Sequence, residues 1–201
     1  MDGRWIILAP SALLVLLTVP LWLLYPPPAA EARASLPVLV LLGLATAVAL
    51  LGAAALLERV SPSFRSTSRR LERLVRDLRL GRWAGAGLAL ATGVAEELFF
   101  RGWLLHVLGL WGQALLFMAL HPAGRRGWAY TLFTGVAGLV FGALTLATGS
   151  VVSALVAHVA VNAHGFASVT RPRDRTGGGA PRRDGPREEP TAREEPSPPR
   201  S

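Results

Sequence analysis

The sequence contains no cysteine and no lysine. Without cysteine there is no disulfide framework, no thiolate metal site and no cysteine nucleophile. All 21 basic residues are therefore arginine, and they outnumber the 13 acidic residues to give a formal net charge of +8. The arginines lie in connecting segments and in a tail, not along a groove with interleaved aromatic residues. We therefore expect no nucleic-acid partner.

Charged residues are also scarce over long stretches of the chain. Hydrophobic residues make up 51% of the sequence, and the mean hydropathy is +0.40. They gather into runs of about 20 residues, the length that a helix needs to cross the hydrocarbon core. The sequence therefore predicts an all-α fold, a polytopic transmembrane bundle of about six spans. The predicted spans cover residues 5–25, 36–57, 83–107, 110–121, 128–147 and 150–169.

Two segments differ from these apolar runs. Residues 61–82 carry seven arginines, while leucine and valine repeat at helical spacing within 71–78. This pattern predicts an amphipathic helix at the membrane surface, with a solvated basic connector as the alternative. Residues 171–201 contain arginine, proline, glutamate and glycine without periodicity. The prediction is therefore a membrane domain over 1–170 and a disordered cytoplasmic tail over 171–201.

The distribution of arginine predicts the orientation. With the N-terminus inside, six spans place every arginine-rich connection on the cytoplasmic side. We therefore expect a multi-pass protein of the inner (plasma) membrane with both termini cytoplasmic and with membrane lipid as a partner. A cleaved signal peptide is the competing interpretation of the first span, because Ala30 and Ala32 provide a small-residue site.

Three charged residues lie within the third predicted span, namely Glu96, Glu97 and Arg101. Each costs roughly 2.5–3.5 kcal/mol on insertion scales, so the cost must be offset. Glu97 and Arg101 are four residues apart on one helix face and can form an ion pair. Glu96 is rotated by about 100° from Glu97, which leaves its carboxylate free.

Two other predicted spans contribute polar groups. His121 closes the fourth span, and His158 and Asn162 share one face of the sixth. Polar groups in lipid contact one another or line a water-filled cavity, so we expect these residues to converge on the glutamates. Each of them alone could be a helix-packing residue. His106 and His164 lie near span ends, and we expect them to be interfacial or packing residues.

Three motifs connect these residues to a known family. Residues 96–102 fit EExxxRG, residues 117–121 fit FxxxH, and residues 158–162 fit HxxxN. In this order, on three predicted spans, they resemble the CPBP family of intramembrane proteases. That family includes the type II CAAX prenyl endopeptidases and bacteriocin self-immunity proteins. The resemblance covers about residues 84–169, in a chain that is short for the family.

The resemblance implies an intramembrane endopeptidase acting on a membrane-anchored protein or peptide. Glu96 would be the catalytic carboxylate and His121 its partner in holding water. His158 and Asn162 would stabilise the oxyanion, and Arg101 would orient Glu97. The implied site residues are Glu96, Glu97, Arg101, His121, His158 and Asn162.

Two alternatives remain open. Glu96, His121 and His158 could form a three-ligand zinc site with one open position. The chain could also be a non-catalytic membrane protein, such as an immunity factor or a transporter with a buried proton relay. We expect no metal or other cofactor, because pairing with Arg101 would commit Glu97 and leave both histidines without the acidic partner that zinc ligands commonly have.

Overall fold

The computed structural model describes residues 5–27 and 31–170, and the regular elements within them are all helical. The predicted disordered tail, 171–201, and Ala30 of the possible cleavage site lie outside the described residues. The α-helices are α1 (Trp5–Leu24), α2 (Leu36–Val60), α3 (Pro62–Asp77), α4 (Arg82–Phe99), α5 (Leu105–Ala119), α6 (Trp128–Thr148) and α7 (Val152–Thr170).

The prediction of an all-α membrane bundle is confirmed for this part of the chain. Four of its helical stretches are long and apolar enough to cross a membrane: Leu36–Val60, Trp83–Ala119, Arg125–Thr148 and Val152–Val169. A shorter apolar helix covers Ala9–Leu24. The six predicted spans thus correspond to these five stretches, because the third and fourth predicted spans share one stretch that is broken at Gly109.

The basic segment forms the predicted amphipathic helix, α3, over a shorter range than expected. Ser61 begins it, since its hydroxyl accepts from the backbone N–H of Phe64 at 3.2 Å. Phe64 is buried, with its ring centroid 5.5 Å from that of Tyr130 and 5.3 Å from that of Phe133. Most of the arginines of α3 are exposed. The helix therefore packs one apolar face on the bundle and presents a basic face outward.

The basic connections lie together at one end of the bundle. The hydroxyl of Ser63 in α3 donates to the carbonyl of Arg126, in the 3₁₀ turn Arg125–Gly127. At the other end of α6, the backbone N–H of Arg33 donates to the carbonyl of Thr148 at 2.8 Å. This arrangement agrees with the predicted placement of arginine-rich connections on one side of the membrane.

The chain between α4 and α6 positions one site residue inside the membrane domain. A π-helical turn, Phe100–Leu104, follows α4. Gly109 then adopts φ 68° and ψ −176°, which are not helical values, so the helix is kinked there. A new helical segment covers residues 110–119. His121, just beyond this segment, lies beside the first turn of α6, because its backbone carbonyl accepts from the hydroxyl of Thr131 at 3.3 Å.

Helix α7 packs against α2, α4 and α6. Small residues permit the close approach. A Cβ on Gly43 of α2 would lie 2.6 Å from the carbonyl oxygen of Ser153, and one on Gly93 of α4 would lie 2.8 Å from the side chain of Val159. These contacts hold the face of α7 that carries His158 against α4, where the two glutamates lie.

Candidate active site

Glu96 lies in the last turn of α4 and is partly buried, with 15% of its side chain exposed. Its Oε2 atom is 3.6 Å from Nε2 of His121 and 3.8 Å from Nε2 of His158. Both separations exceed an ordinary hydrogen bond of about 2.7–3.2 Å. Oε2 has no hydrogen-bond partner among the described residues. One carboxylate oxygen therefore faces two imidazole nitrogens that come from different parts of the chain.

Glu97 is almost completely buried and has two partners. Its Oε1 atom accepts from Nη1 of Arg101 at 2.9 Å and lies 2.7 Å from Nδ1 of His158. The predicted ion pair with Arg101 is confirmed. The expectation that this pairing leaves His158 without an acidic partner was wrong. A carboxylate oxygen has more than one acceptor site, so the ion pair does not exhaust Glu97.

Arg101 is fully buried, and its charge is compensated by several neighbours. Besides Glu97, its Nη2 donates to the carbonyl of Gly138 in α6 at 3.3 Å. The guanidinium carbon lies 4.6 Å from the ring centroid of Phe117 and 5.1 Å from that of Phe141. Aromatic faces attract a cation, most strongly where water is excluded. Arg101 thus joins α4, α5 and α6 around the buried face of the site.

The hydrogen bonds of the two histidines assign their ring protons. Nδ1 of His121 lies 2.7 Å from the carbonyl oxygen of Phe117, which can only accept, so Nδ1 carries a proton. Nδ1 of His158 carries one for the same reason, because it contacts the Glu97 carboxylate. Each ring therefore directs Nε2 toward Glu96. The His158 ring also stacks on Phe141, with centroids 5.3 Å apart.

Asn162 lies one turn beyond His158 and is half-buried. Its Nδ2 donates to the hydroxyl of Thr92 at 3.2 Å. Thr92 is one turn before Glu96 on α4, so this bond joins the same two helices that carry Glu96 and His158. The sequence did not single out Thr92, because only the packing of α4 on α7 pairs it with Asn162.

Gln113 is a second residue that the sequence reasoning missed. It is fully buried, and its Nε2 donates to the carbonyl of Gly138 at 2.9 Å, the same oxygen that binds Arg101. In the sequence, the only indication of its role was a single amide side chain within the apolar segment that ends at His121. His106 and His164, which the sequence predicted to be interfacial or packing residues, are exposed, and His164 also lines a cavity that extends to Asn162.

Two cavities reach the site from either side of α3. One of about 420 Å³ extends to His121 and is also lined by Arg70. The other, of about 470 Å³, lies beneath α3 and extends to Asn162. Leu71 and Tyr130 line both cavities and separate them. The amphipathic helix α3 therefore contributes side chains to both cavities.

The site does not provide a ready set of metal ligands. Within the described ranges, no group of three or more histidine, aspartate or glutamate side chains is arranged to hold a metal ion. One ring nitrogen of each histidine donates to an acceptor, which leaves Nε2 of each ring facing Glu96. Zinc ligands have the same hydrogen bonds, so a metal analysis is needed to test the zinc alternative.

Comparison with known proteins bears on the same part of the chain. A family model described as Type II CAAX prenyl endopeptidase Rce1-like matches residues 79–164. No curated protein and no solved structure matches the chain. The matched segment contains all three motifs, so the resemblance inferred from them is confirmed. Residues 79–164, which carry all six predicted site residues, are therefore similar to the Rce1-like type II CAAX prenyl endopeptidase family.

Proposed function

We propose that this integral membrane protein is an intramembrane endopeptidase that hydrolyses a peptide bond of a membrane-associated protein or peptide. The family match supports a protease activity of the CAAX type. The observation that carries the proposal is the approach of His121 and His158 to one oxygen of Glu96, at 3.6 and 3.8 Å. A partly buried carboxylate that faces two imidazoles within a membrane domain is suited to bind and activate water.

Glu96 and His121 form the water-activating pair. Both the carboxylate oxygen and Nε2 of neutral His121 are hydrogen-bond acceptors. A water between them donates one hydrogen to each and turns a lone pair toward the substrate carbonyl. Glu96 takes the proton as that lone pair attacks, which is general base catalysis, and it returns the proton to the leaving amine as the C–N bond breaks. Backbone anchoring of His121 at Nδ1 keeps Nε2 available for this role.

His158 and Asn162 stabilise the oxyanion that forms on the substrate carbonyl. Donors fixed where negative charge develops lower the barrier without reorganising during the reaction. Asn162 uses one N–H for Thr92 and has a second for the oxyanion. His158 donates from Nε2 when its ring carries both protons, since Nδ1–H is bonded to Glu97.

A non-catalytic role, as an immunity or transport-type protein, is the competing class. A polar cluster that only holds helices together satisfies its hydrogen bonds internally. The cluster does not satisfy this condition, because Oε2 of Glu96, Oε2 of Glu97 and Nε of Arg101 have no hydrogen-bond partner among the described residues. Oε2 of Glu96 differs from the other two atoms in that Nε2 of His121 and Nε2 of His158 both face it, at 3.6 and 3.8 Å. We favour the protease for this reason.

Replacing the base tests the proposal. Glu96→Gln should lower turnover by about 10²–10⁴-fold, the usual contribution of a general base, while the protein still inserts and accumulates. The assay uses proteoliposomes and a membrane-anchored, internally quenched peptide chosen from a mixture for cleavage by the wild type. Glu31→Gln is the matched control, because Glu31 is exposed and lies in the α1–α2 connection. Equal turnover by Glu96→Gln and the wild type would reject the proposal.

A further inference from the structure

Gln113 is among the largest fully buried side chains of the described chain, together with Arg101 and Glu97. It lies outside the three motifs. On the helical segment after Gly109 it precedes Phe117 by one turn and His121 by two, so the three residues share one face. The segment that delivers His121 to Glu96 is therefore attached to its surroundings through this amide.

The amide of Gln113 meets Arg101 on one backbone oxygen. Nε2 of Gln113 donates to the Gly138 carbonyl at 2.9 Å, and Nη2 of Arg101 reaches the same oxygen at 3.3 Å. A carbonyl oxygen has two lone pairs and can accept both. Arg101 in turn holds Glu97, and Glu97 holds His158. A continuous set of hydrogen bonds thus runs from Gln113 to His158, while His121 follows Gln113 along the same segment.

Gly142 makes room for this bond. A Cβ at position 142 would lie 2.5 Å from Nε2 of Gln113 and 2.8 Å from the side chain of Leu110. Real Cβ contacts are essentially never closer than 3.0 Å, so alanine there would displace the amide. By contrast, a Cβ on Gly87 of α4 would have no atom within 4 Å. Gly142 and Gly87 therefore form a matched pair for substitution: alanine at 142 would displace the Gln113 amide, and alanine at 87 would not.

The amide oxygen of Gln113 is buried without a hydrogen-bond partner among the described residues, which indicates that the amide N–H is the group that matters at this position. An unsatisfied buried acceptor is unfavourable, so a residue that served only packing would be better replaced by an apolar side chain of similar size. The donor function of Gln113 accounts for an amide at this position.

We propose that Gln113 is a positioning residue of the site. Its bond to Gly138 fixes the His121 segment against α6 and fixes the carbonyl to which Arg101 is bonded. It thereby sets the position of His121, on one side, and of the Glu97–His158 pair, on the other, relative to Glu96. Gln113 contacts no substrate. The effect on turnover rests on the proposed protease function, whereas the effect on the histidines does not.

Gln113→Met preserves length and approximate volume but removes the donor. Because small misplacements of catalytic groups are costly, kcat per folded enzyme should fall about 10–100-fold while KM changes less than about twofold. The second readout needs no substrate. With ¹⁵N-labelled histidine, the chain has four labelled residues, and the Nδ1–H signal of His158 should shift in Gln113→Met. Assignment uses His158→Ala.

Gly142→Ala should reproduce both changes, and Gly87→Ala should produce neither. The double variant Gln113→Met/Gly142→Ala should be no slower than the more impaired single variant, since both act through one bond. Wild-type kcat and histidine signals in a folded Gln113→Met would overturn the inference. So would failure of both single variants to fold, because Gln113 would then be a stability residue. If the wild type is no faster than Glu96→Gln, the protease proposal fails and the histidine signals alone decide the inference.

Discussion

Two adjacent glutamates occupy different environments, and they divide the polar cluster into two regions. The inner region comprises Glu97, Arg101 and Gln113, which are fully buried and bonded to one another or to α6. The outer region comprises Glu96 and His121, which are partly exposed, and His121 also lines the cavity at α3. Inner groups are connected mainly by short hydrogen bonds, whereas outer groups face one another across longer gaps.

This difference separates structural from chemical roles. An interior ion pair costs desolvation free energy that is recovered only when its hydrogen bonds are made. The inner region meets that condition only in part, since Oε2 of Glu97, Nε of Arg101 and Oε1 of Gln113 have no hydrogen-bond partner among the described residues. Oε2 of Glu96 also lacks a partner there, but two imidazole nitrogens face it, so it can share a bound water with them. The inner region therefore positions the histidines, and the outer region is where we expect hydrolysis.

The largest expected effect is on the inner region. Arg101→Leu leaves Glu97 charged and buried, which should lower the free energy of unfolding by about 3–5 kcal/mol. Folded protein recovered from membranes and the midpoint of thermal unfolding in detergent measure this loss. Arg33→Leu is the control, because Arg33 is exposed in the α1–α2 connection and its side chain bonds a backbone carbonyl near the end of α6. A stable Arg101→Leu that keeps full activity would show that the two regions do not differ in role.

A smaller effect is expected at the edge of the outer region. Asn162→Ala should lower kcat by about 10²-fold with little change in KM, as for the loss of one oxyanion donor. Thr92→Val removes the hydroxyl that holds Asn162 but leaves its amide, so its effect should be about tenfold or less. Purified variants are compared under saturating peptide. Equal losses in the two variants would mean that Asn162 acts only by holding α7 against α4.

The sequence predicted correctly those features that depend on a single helix. Apolar run length predicted the spans, and spacing of four residues predicted the Glu97–Arg101 pair. Contacts between helices were a different matter. The bonds of Glu97 to His158 and of Asn162 to Thr92 depend on how α7 lies on α4, and that packing leaves no local pattern. The family resemblance supplied the convergence of the motifs.

The π-helical turn at Phe100–Leu104 was also missed. A π-helical turn differs from an α-helix by one residue, and the apolar residues around Arg101 fit either form. Gln113 was overlooked because a single amide in an apolar segment has no periodicity. Its importance follows from Gly142 and Gly138, which belong to another helix.

The smallest expected effect concerns metal, and it tests whether Glu96 is a free base at all. Zinc would bind Glu96, His121 and His158 and would remove the distinction between the two regions. Histidine ligands of zinc usually donate their other ring N–H to a carboxylate or a backbone carbonyl. Both kinds of partner are present, since His158 donates to Glu97 and His121 to the Phe117 carbonyl. The absence of such partners therefore cannot be used against zinc.

What separates the two mechanisms is the arrangement of the ligand atoms and the metal content. The described side chains form no group arranged for a metal ion, and a carboxylate with a neutral imidazole suffices to hold water. Purified protein should therefore contain no stoichiometric metal by elemental analysis. It should also keep its activity, within about twofold, after prolonged treatment with a strong zinc chelator. Removal of a zinc ion that the enzyme required would lower its activity by much more. The chelator-treated Glu96→Gln variant sets the background. About one zinc per chain, with activity lost on chelation and restored by zinc, would overturn the glutamate mechanism and make Glu96 a metal ligand.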